Sequence, residues 1–135
     1  MNRQKAVIDA HNAAYLQAPR DPRPNIRNIR RVIEAVEASG RDALFVMDPG
    51  IRSLIVDVDE LKKLLSDPRL IPLDGGKDIG QLVVETAAQF DAVIVSNNTY
   101  AEYAPDYPWI EERRIAVAAV NDQVVLLDRK MKLAS

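Results

Sequence analysis

Short uninterrupted apolar runs alternate along this chain with longer segments whose apolar residues recur every three or four positions. The runs at residues 5–9, 43–47, 70–73 and 92–95 lack polar alternation, the pattern of strands buried on both faces of a sheet. Between them, helical periodicity dominates. Ile26, Ile29, Ile33 and Val36 make one stripe, with Asn25 as N-cap and Gly40 as stop. Val58, Leu61, Leu64 and Leu65 make a second, from Asp57 to the break before Pro68. Ile79, Leu82, Val83, Thr86, Ala87 and Phe90 make a third, opened by Asp78. Pro19, Pro22 and Pro24 forbid regular structure in the loop from Tyr15 to Asn25. A short helix is predicted over residues 109–113. Strands at 115–120 and 123–127 follow, joined by the two-residue turn Asn121-Asp122 into a C-terminal β-hairpin. The order β, α, β, α, β, α, β, short α and hairpin predicts an α/β fold of three layers, α/β/α, around a mostly parallel sheet.

A chain of 135 residues is expected to form one domain spanning residues 1–135. With no cysteine and a single histidine, His11, disulfides, thiol chemistry and serine-type catalysis drop out, as does a His-rich metal centre. There is no glycine-rich turn after the first strand, so neither a dinucleotide fingerprint nor a P-loop is present. No apolar run reaches the length of a membrane span, and the N-terminus runs straight into a strand; a cytoplasmic protein is expected. The net charge of −2 gives no overall attraction to nucleic acid. Its distribution matters more: Arg20, Arg23, Arg27, Arg30 and Arg31 crowd one early segment.

Candidate chemistry gathers at the predicted strand ends. The apolar run 92–95 breaks into Ser96, Asn97, Asn98 and Thr99, and the first strand ends in Asp9 with His11 and Asn12 just beyond. Asp48 ends the second strand, Asp78 starts a helix, and Glu102 follows the Asn97-Asn98 pair. In a parallel α/β sheet such positions share the carboxyl edge, where ligands bind. Carboxylates and amides gathered without cysteine or histidine suit a hard cation, Mg²⁺ or Mn²⁺. Asp57 and Asp59 form a D-x-D pair of the sort found in Toprim-type metal sites, but the apolar helical pattern starts beside them, which favours helix capping.

These residues resemble a known family. Val7-Ile8-Asp9-Ala10-His11-Asn12-Ala13-Ala14 resembles the opening I-D-x-x-N-V-A of PIN-like nucleases of the NYN branch. Ile94-Val95-Ser96-Asn97-Asn98-Thr99-Tyr100 resembles the V-V-S-N-D-x-Y of the ribonuclease domain in Regnase/MCPIP-type CCCH zinc-finger proteins. The likeness continues through Trp109, Ile110-Glu111-Glu112-Arg113 and Val120-Asn121-Asp122. It implies a PIN-like (Rossmannoid) fold and a metal-dependent endoribonuclease acting on RNA, in single-stranded or loop regions. Asp9, Asn12, Asp78, Asn98 and Glu102 would then be the catalytic set, and Asp9, Asp78, Asn98, Glu102 and Asp48 the ligands of Mg²⁺ or Mn²⁺. Arg52, Arg113, Arg27, Arg30 and Arg31 would hold the RNA backbone, and Tyr15, Tyr100 or Trp109 would stack an unpaired base. Two positions depart from the family pattern: Lys77 stands in place of the first of two paired aspartates, and Asn98 in place of the strand-end aspartate. They motivate the alternative of a catalytically weakened RNA-binding or interaction module on the same fold. No membrane partner is expected, and a homo-oligomer is left open.

Overall fold

The computed structural model describes residues 3–16, 24–47, 57–73, 76–120 and 123–127. Among these residues, six strands form one sheet: β1 (Lys5–Asp9), β2 (Asp42–Val46), β3 (Leu70–Ile71), β4 (Val93–Val95), β5 (Arg114–Val120) and β6 (Gln123–Leu127). Their order is β3-β2-β1-β4-β5-β6, parallel throughout except for the β5–β6 hairpin. The chain thus builds outward from β1 through β2 to β3, then crosses back to lay β4 against the other edge of β1. The mixed α/β architecture expected from the run pattern is the one observed. Val120 pairs with Gln123 across the two-residue connection.

Among the described residues, five helices flank the sheet: α1 (Ala10–Ala14), α2 (Ile26–Ala38), α3 (Val58–Leu65), α4 (Ile79–Phe90) and α5 (Ile110–Arg113). Ala6, Ile8, Phe45 and Val95 pack with α1, α2 and α3 on one face; Val7, Val46 and Ile94 pack with α4 and α5 on the other. This division follows from strand alternation, which sends neighbouring side chains to opposite faces. Caps set the helix starts as the sequence predicts. Asn25 accepts from the Arg27 N–H, Asp57 from Glu60, and Asp78 from Gln81. Gly40 adopts φ +90 just past α2, a conformation that costs glycine little.

Several expectations need correction. Val58 and Phe90 are exposed at the first and last turns of their helices, where the apolar stripe rotates away from the sheet. Phe90 instead carries the Lys5 ammonium 6.0 Å above its ring. The short helix α1 was not predicted, because five residues hold too little periodicity to register. The D-x-D pair needs no correction: Asp57 caps α3 through the Glu60 N–H and Asp59 lies exposed in its first turn, as the helical pattern beside them favours.

Two polar anchors tie the layers. The buried Asn28 donates to the Leu16 carbonyl (2.9 Å) and accepts from Arg31, fixing the segment after α1 against α2. Arg69 joins the turn before β3 to α2: it donates to both oxygens of Asp67 (2.9 and 2.7 Å) and to Glu37 (3.0 Å). These bonds from Arg69 pull the Asp67 pKa from 3.8 down to about 2. A carboxylate whose pKa is depressed on folding stabilises the native state above its unfolded pKa and ceases to do so as pH falls through the folded one. Urea unfolding should therefore show wild-type stability declining from pH 3.8 towards about 2. Asp67→Asn should be less stable at neutral pH and lose less over that acid interval.

Candidate active site

The strand order reverses between β1 and β4, and in open α/β sheets the crevice beyond the carboxyl ends at such a point is where ligands bind. Ile8 pairs with Val95, so Asp9 and Ser96 leave the sheet side by side. Both are buried, polar residues in an otherwise apolar layer. A buried carboxylate needs partners, and Asp9 has two. Its Oδ1 accepts the Asn12 N–H (3.1 Å), which makes it the N-cap of α1. Its Oδ2 accepts the Tyr100 hydroxyl (2.7 Å), a buried bond between residues 91 positions apart.

Tyr100 is reached through two turns stacked after β4. The Asn98 N–H donates to the Ser96 hydroxyl (3.1 Å), and Asn98 Oδ1 accepts the Tyr100 N–H (3.1 Å). Tyr100 itself adopts φ +52, ψ +37, the left-handed region that a bulky residue rarely enters. Such strain costs roughly 1–3 kcal/mol and persists only where the surroundings hold it. Here the ring is 1% exposed and the hydroxyl is bound to Asp9. Burial first, and then the Asp9 carboxylate, push the phenol well above its ordinary pKa, so it stays a donor. Tyr100 is therefore unavailable to stack on a base, contrary to the expectation from sequence.

Amides complete the seam. Asn12 Oδ1 accepts the Asn97 N–H (2.9 Å), and the Asn97 side chain closes both backbone bonds of Val117 (2.8 and 2.9 Å). Asn12 thus stands at the site, whereas Asn97 is committed to β5.

Asp78 and Glu102 border this region from other elements. Asp78 caps α4 and is exposed; besides the Gln81 N–H (2.7 Å) it accepts the Tyr103 hydroxyl (2.8 Å). The Gln81 bond first, then that of Tyr103, lowers its pKa. Glu102 is exposed on the 3₁₀ turn Ala101–Tyr103. Tyr100 and Tyr103, three residues apart at the two ends of this turn, hold Asp9 and Asp78 respectively. Sequence reasoning missed that role; the only hint is their i, i+3 spacing beside two candidate acids. Gly80 makes room for the second of these bonds. A Cβ there would stand 3.3 Å from Tyr103 Cε2 and 3.7 Å from Asp78 Oδ1.

Among the described residues, no three His, Asp or Glu side chains cluster closely enough to hold a metal ion by themselves. Asp48 and Arg52 lie outside the described residues, as do Arg20 and Arg23. The remaining arginines have partners. Arg27 lies 3.5 Å from Asp57, Arg30 donates to Glu60 (2.6 Å), and Arg31 donates to Asn28 (2.9 Å). All three stand on α2, which packs on the sheet face opposite the Tyr100 layer. Arg113 pairs with Asp91 (2.8 Å) and lies 4.6 Å over the Trp109 ring, so these two residues brace α5. Lys77 pairs with Glu85 (2.8 Å). His11 packs against the Tyr15 ring at 5.0 Å.

The model of the family described as Zc3h12a-like Ribonuclease NYN domain matches residues 2–134. Among solved structures, the chain is similar to nuclear proteinaceous RNase P 2 (PRORP2) from A. thaliana, with a TM-score of 0.73 and 16% identity. A second structure of the Arabidopsis thaliana nuclear protein-only RNase P 2 gives 0.72 and 15%. Each alignment covers 93% of this chain and 30% of the other, so the chain spans about a third of the length of these neighbours. At this identity the likeness is one of fold. No curated protein is significantly similar in sequence.

Two outcomes follow from the tyrosine bonds. Tyr100→Phe should destabilise the protein by about 1–3 kcal/mol in urea unfolding at neutral pH, because it deprives a buried carboxylate of a donor. Gly80→Ala should displace the Tyr103 ring from Asp78. Its phenol, pushed up to about 12 by burial first and then by the bond to Asp78, should titrate closer to 10.0 in tyrosinate absorbance. The helix itself should gain roughly 0.5–1 kcal/mol from the alanine.

Proposed function

The chain belongs to the Zc3h12a-like ribonuclease NYN domain family, and on that premise we propose that it is an endoribonuclease that hydrolyses unpaired RNA with the help of a divalent cation, Mg²⁺ or Mn²⁺. The observation that carries the reading is the buried Asp9 carboxylate, held by two donors at the point where the strand order reverses. A charge at that depth is costly unless it is put to use or fully paired.

The donors on offer fit a hard cation. Asp9, Asn12, Asn98, Asp78 and Glu102 present only oxygen or amide groups, with no sulfur and no imidazole. Mg²⁺ keeps several waters and needs one or two protein carboxylates plus substrate phosphate, so the lack of a three-acid cluster among the described residues is compatible with it. Asp9 would be the principal ligand, with Asp78, Asn98, Glu102 and Asp48 as the further candidates. When bound, such a cation polarises a phosphoryl oxygen and makes water a better nucleophile.

The chain's own residues do the positioning. Asn12 N–H and Tyr100 O–H fix both oxygens of Asp9, each of which keeps a second lone pair for use beyond the protein. The Asn12 amide pins the loop after β4 to α1, so the backbone around Asn98 keeps its distance from Asp9. Tyr103 restrains Asp78 in the same manner. Arg27, whose side chain is 71% exposed, is the helix arginine best able to exchange its carboxylate partner for an RNA phosphate. Arg30, Arg31 and Arg113 would each have to release a closer partner first.

A second reading, a binding module with little turnover, is favoured by Asn98, which brings no charge to the strand end. One experiment separates the two. Wild-type protein should cut an unstructured RNA when Mn²⁺ is added, with Asp9→Asn and Asp78→Asn losing at least about tenfold in Mn²⁺ affinity by calorimetry, and cleavage with it. Asn98→Asp keeps the acceptor for the Tyr100 N–H and adds a charge, so it should tighten Mn²⁺ binding. RNA binding without any cleavage under these conditions would favour the second reading. Undiminished cleavage in both aspartate variants would refute the assignment of the site.

A further inference from the structure

Beside the Asp9 site lies a separate cleft of about 330 Å³, at the small end of the range of ligand pockets. Ala101, Ala104, Pro108 and Ile110 give it an apolar wall, and Thr99, Glu111 and Arg114 bring polar groups to it. Arg114 begins β5 opposite Ile94, and strand alternation puts both on the face where Val7 and Tyr100 are buried. It therefore shares the face of the sheet towards which Asp9 also projects, two positions after Val7 in β1. One guanidinium N–H reaches the Ser96 carbonyl (3.2 Å), and this is its one hydrogen bond to the described residues. A guanidinium has five N–H groups, so most of the fork is available to a ligand. Its neighbour Arg113 turns the other way, to Asp91 and Trp109.

We propose that this cleft is a subsite for one unpaired nucleotide of the substrate, with Arg114 on its phosphate and the base laid along Ala101, Ala104, Pro108 and Ile110. The proposal rests on the ribonuclease reading and says where the strand runs next to the cut. The chemistry is that of a phosphate and a flat apolar face. Arginine binds phosphate through paired N–H groups, and a guanidinium already held at one corner loses little freedom in doing so. Small side chains and a proline leave a wall on which one base can lie, and a cleft of this volume excludes a paired duplex. Glu111 supplies an acceptor at the same cleft, for an exocyclic amine or for a ring N–H of the base. Arg114 was not singled out from the sequence, where Arg113 was the candidate. Arg113 is the last residue of α5 and Arg114 the first of β5, and the register of β5 on β4 shows that Arg114 faces the site.

The test uses the four ribonucleoside 5′-monophosphates with the full chain, in chelator so that no cation contributes, followed by calorimetry and amide chemical-shift mapping. At least one of the four should bind and perturb Thr99, Ala101 and Arg114. Arg114→Ala and Ala104→Leu should each weaken binding by at least about tenfold, the first by removing charge-assisted bonds and the second by filling the cleft. Ala104 is exposed, so the leucine leaves the core untouched. Lys63→Ala, a loss of charge on the exposed side of α3, should bind as wild type does. On single-stranded RNA, Arg114→Ala should lower the slope of log affinity against log salt by about 0.7, one phosphate's worth. If no mononucleotide binds, or if both cleft variants bind as wild type does, the subsite is overturned. RNA cleavage with Mn²⁺ is scored separately. Cleavage without mononucleotide binding removes the subsite and leaves the nuclease reading, whereas mononucleotide binding lost in both variants supports the subsite even if no RNA is cut.

Discussion

The hydrogen bond from the Tyr100 hydroxyl to Asp9 carries more of this structure than any other single contact. It lets a carboxylate stay buried at the end of the central strand, and it holds a tyrosine in a backbone conformation that the residue would otherwise leave. The two demands offset each other. The left-handed turn after β4 gains a hold at the carboxylate beyond that of Asn98, and the carboxylate gains a second donor beside the Asn12 N–H. Around that bond the site is assembled from amides. Asn98 forms the turn, Asn12 ties the turn to α1, and Asn97 ties it to β5. Hydrogen-bonding side chains sit here because strand ends leave backbone groups that no ladder satisfies.

This explains why the region is rich in asparagine. Of the three, Asn97 is wholly occupied by Val117, so its conspicuous place in the motif reflects construction. Asn12 and Asn98 are built into the same seam and still border the Asp9 carboxylate. Charge is supplied sparingly: one buried acid, with exposed acids on α4 and on the 3₁₀ turn that follow from other requirements. Asp78 caps a helix whether or not it also serves a substrate. The arginine supply is similarly divided, since most guanidinium groups on α2 and α5 stabilise helix contacts.

Most of the architecture was legible in the sequence. Four uninterrupted apolar runs became the parallel strands, and helix starts fell on Asn25, Asp57 and Asp78 because short polar side chains satisfy exposed N–H groups. Strand order, on which the site depends, could be inferred only as a class. That β4 returns to pair with β1 is a long-range outcome, although it is what puts Ser96 beside Asp9. The candidate acids at strand ends and helix starts were readable because such positions share an edge of any parallel sheet. What the tyrosines do was not readable. An aromatic residue near a candidate nuclease site suggests stacking, and only three-dimensional burial shows that Tyr100 is a hydrogen-bond donor from within the core. Nor could the face that Arg114 takes be phased without the strand register.

The span of these contacts bears on how the protein comes into being. Asn97 meets Asn12 across 85 positions and Tyr100 meets Asp9 across 91. A chain emerging from the ribosome can fold local helices as it grows, but the two halves of this seam are not both present until residue 100 has been added. Until then Asp9 has no tyrosine to hold it, and β1 lacks the neighbour that builds the crevice.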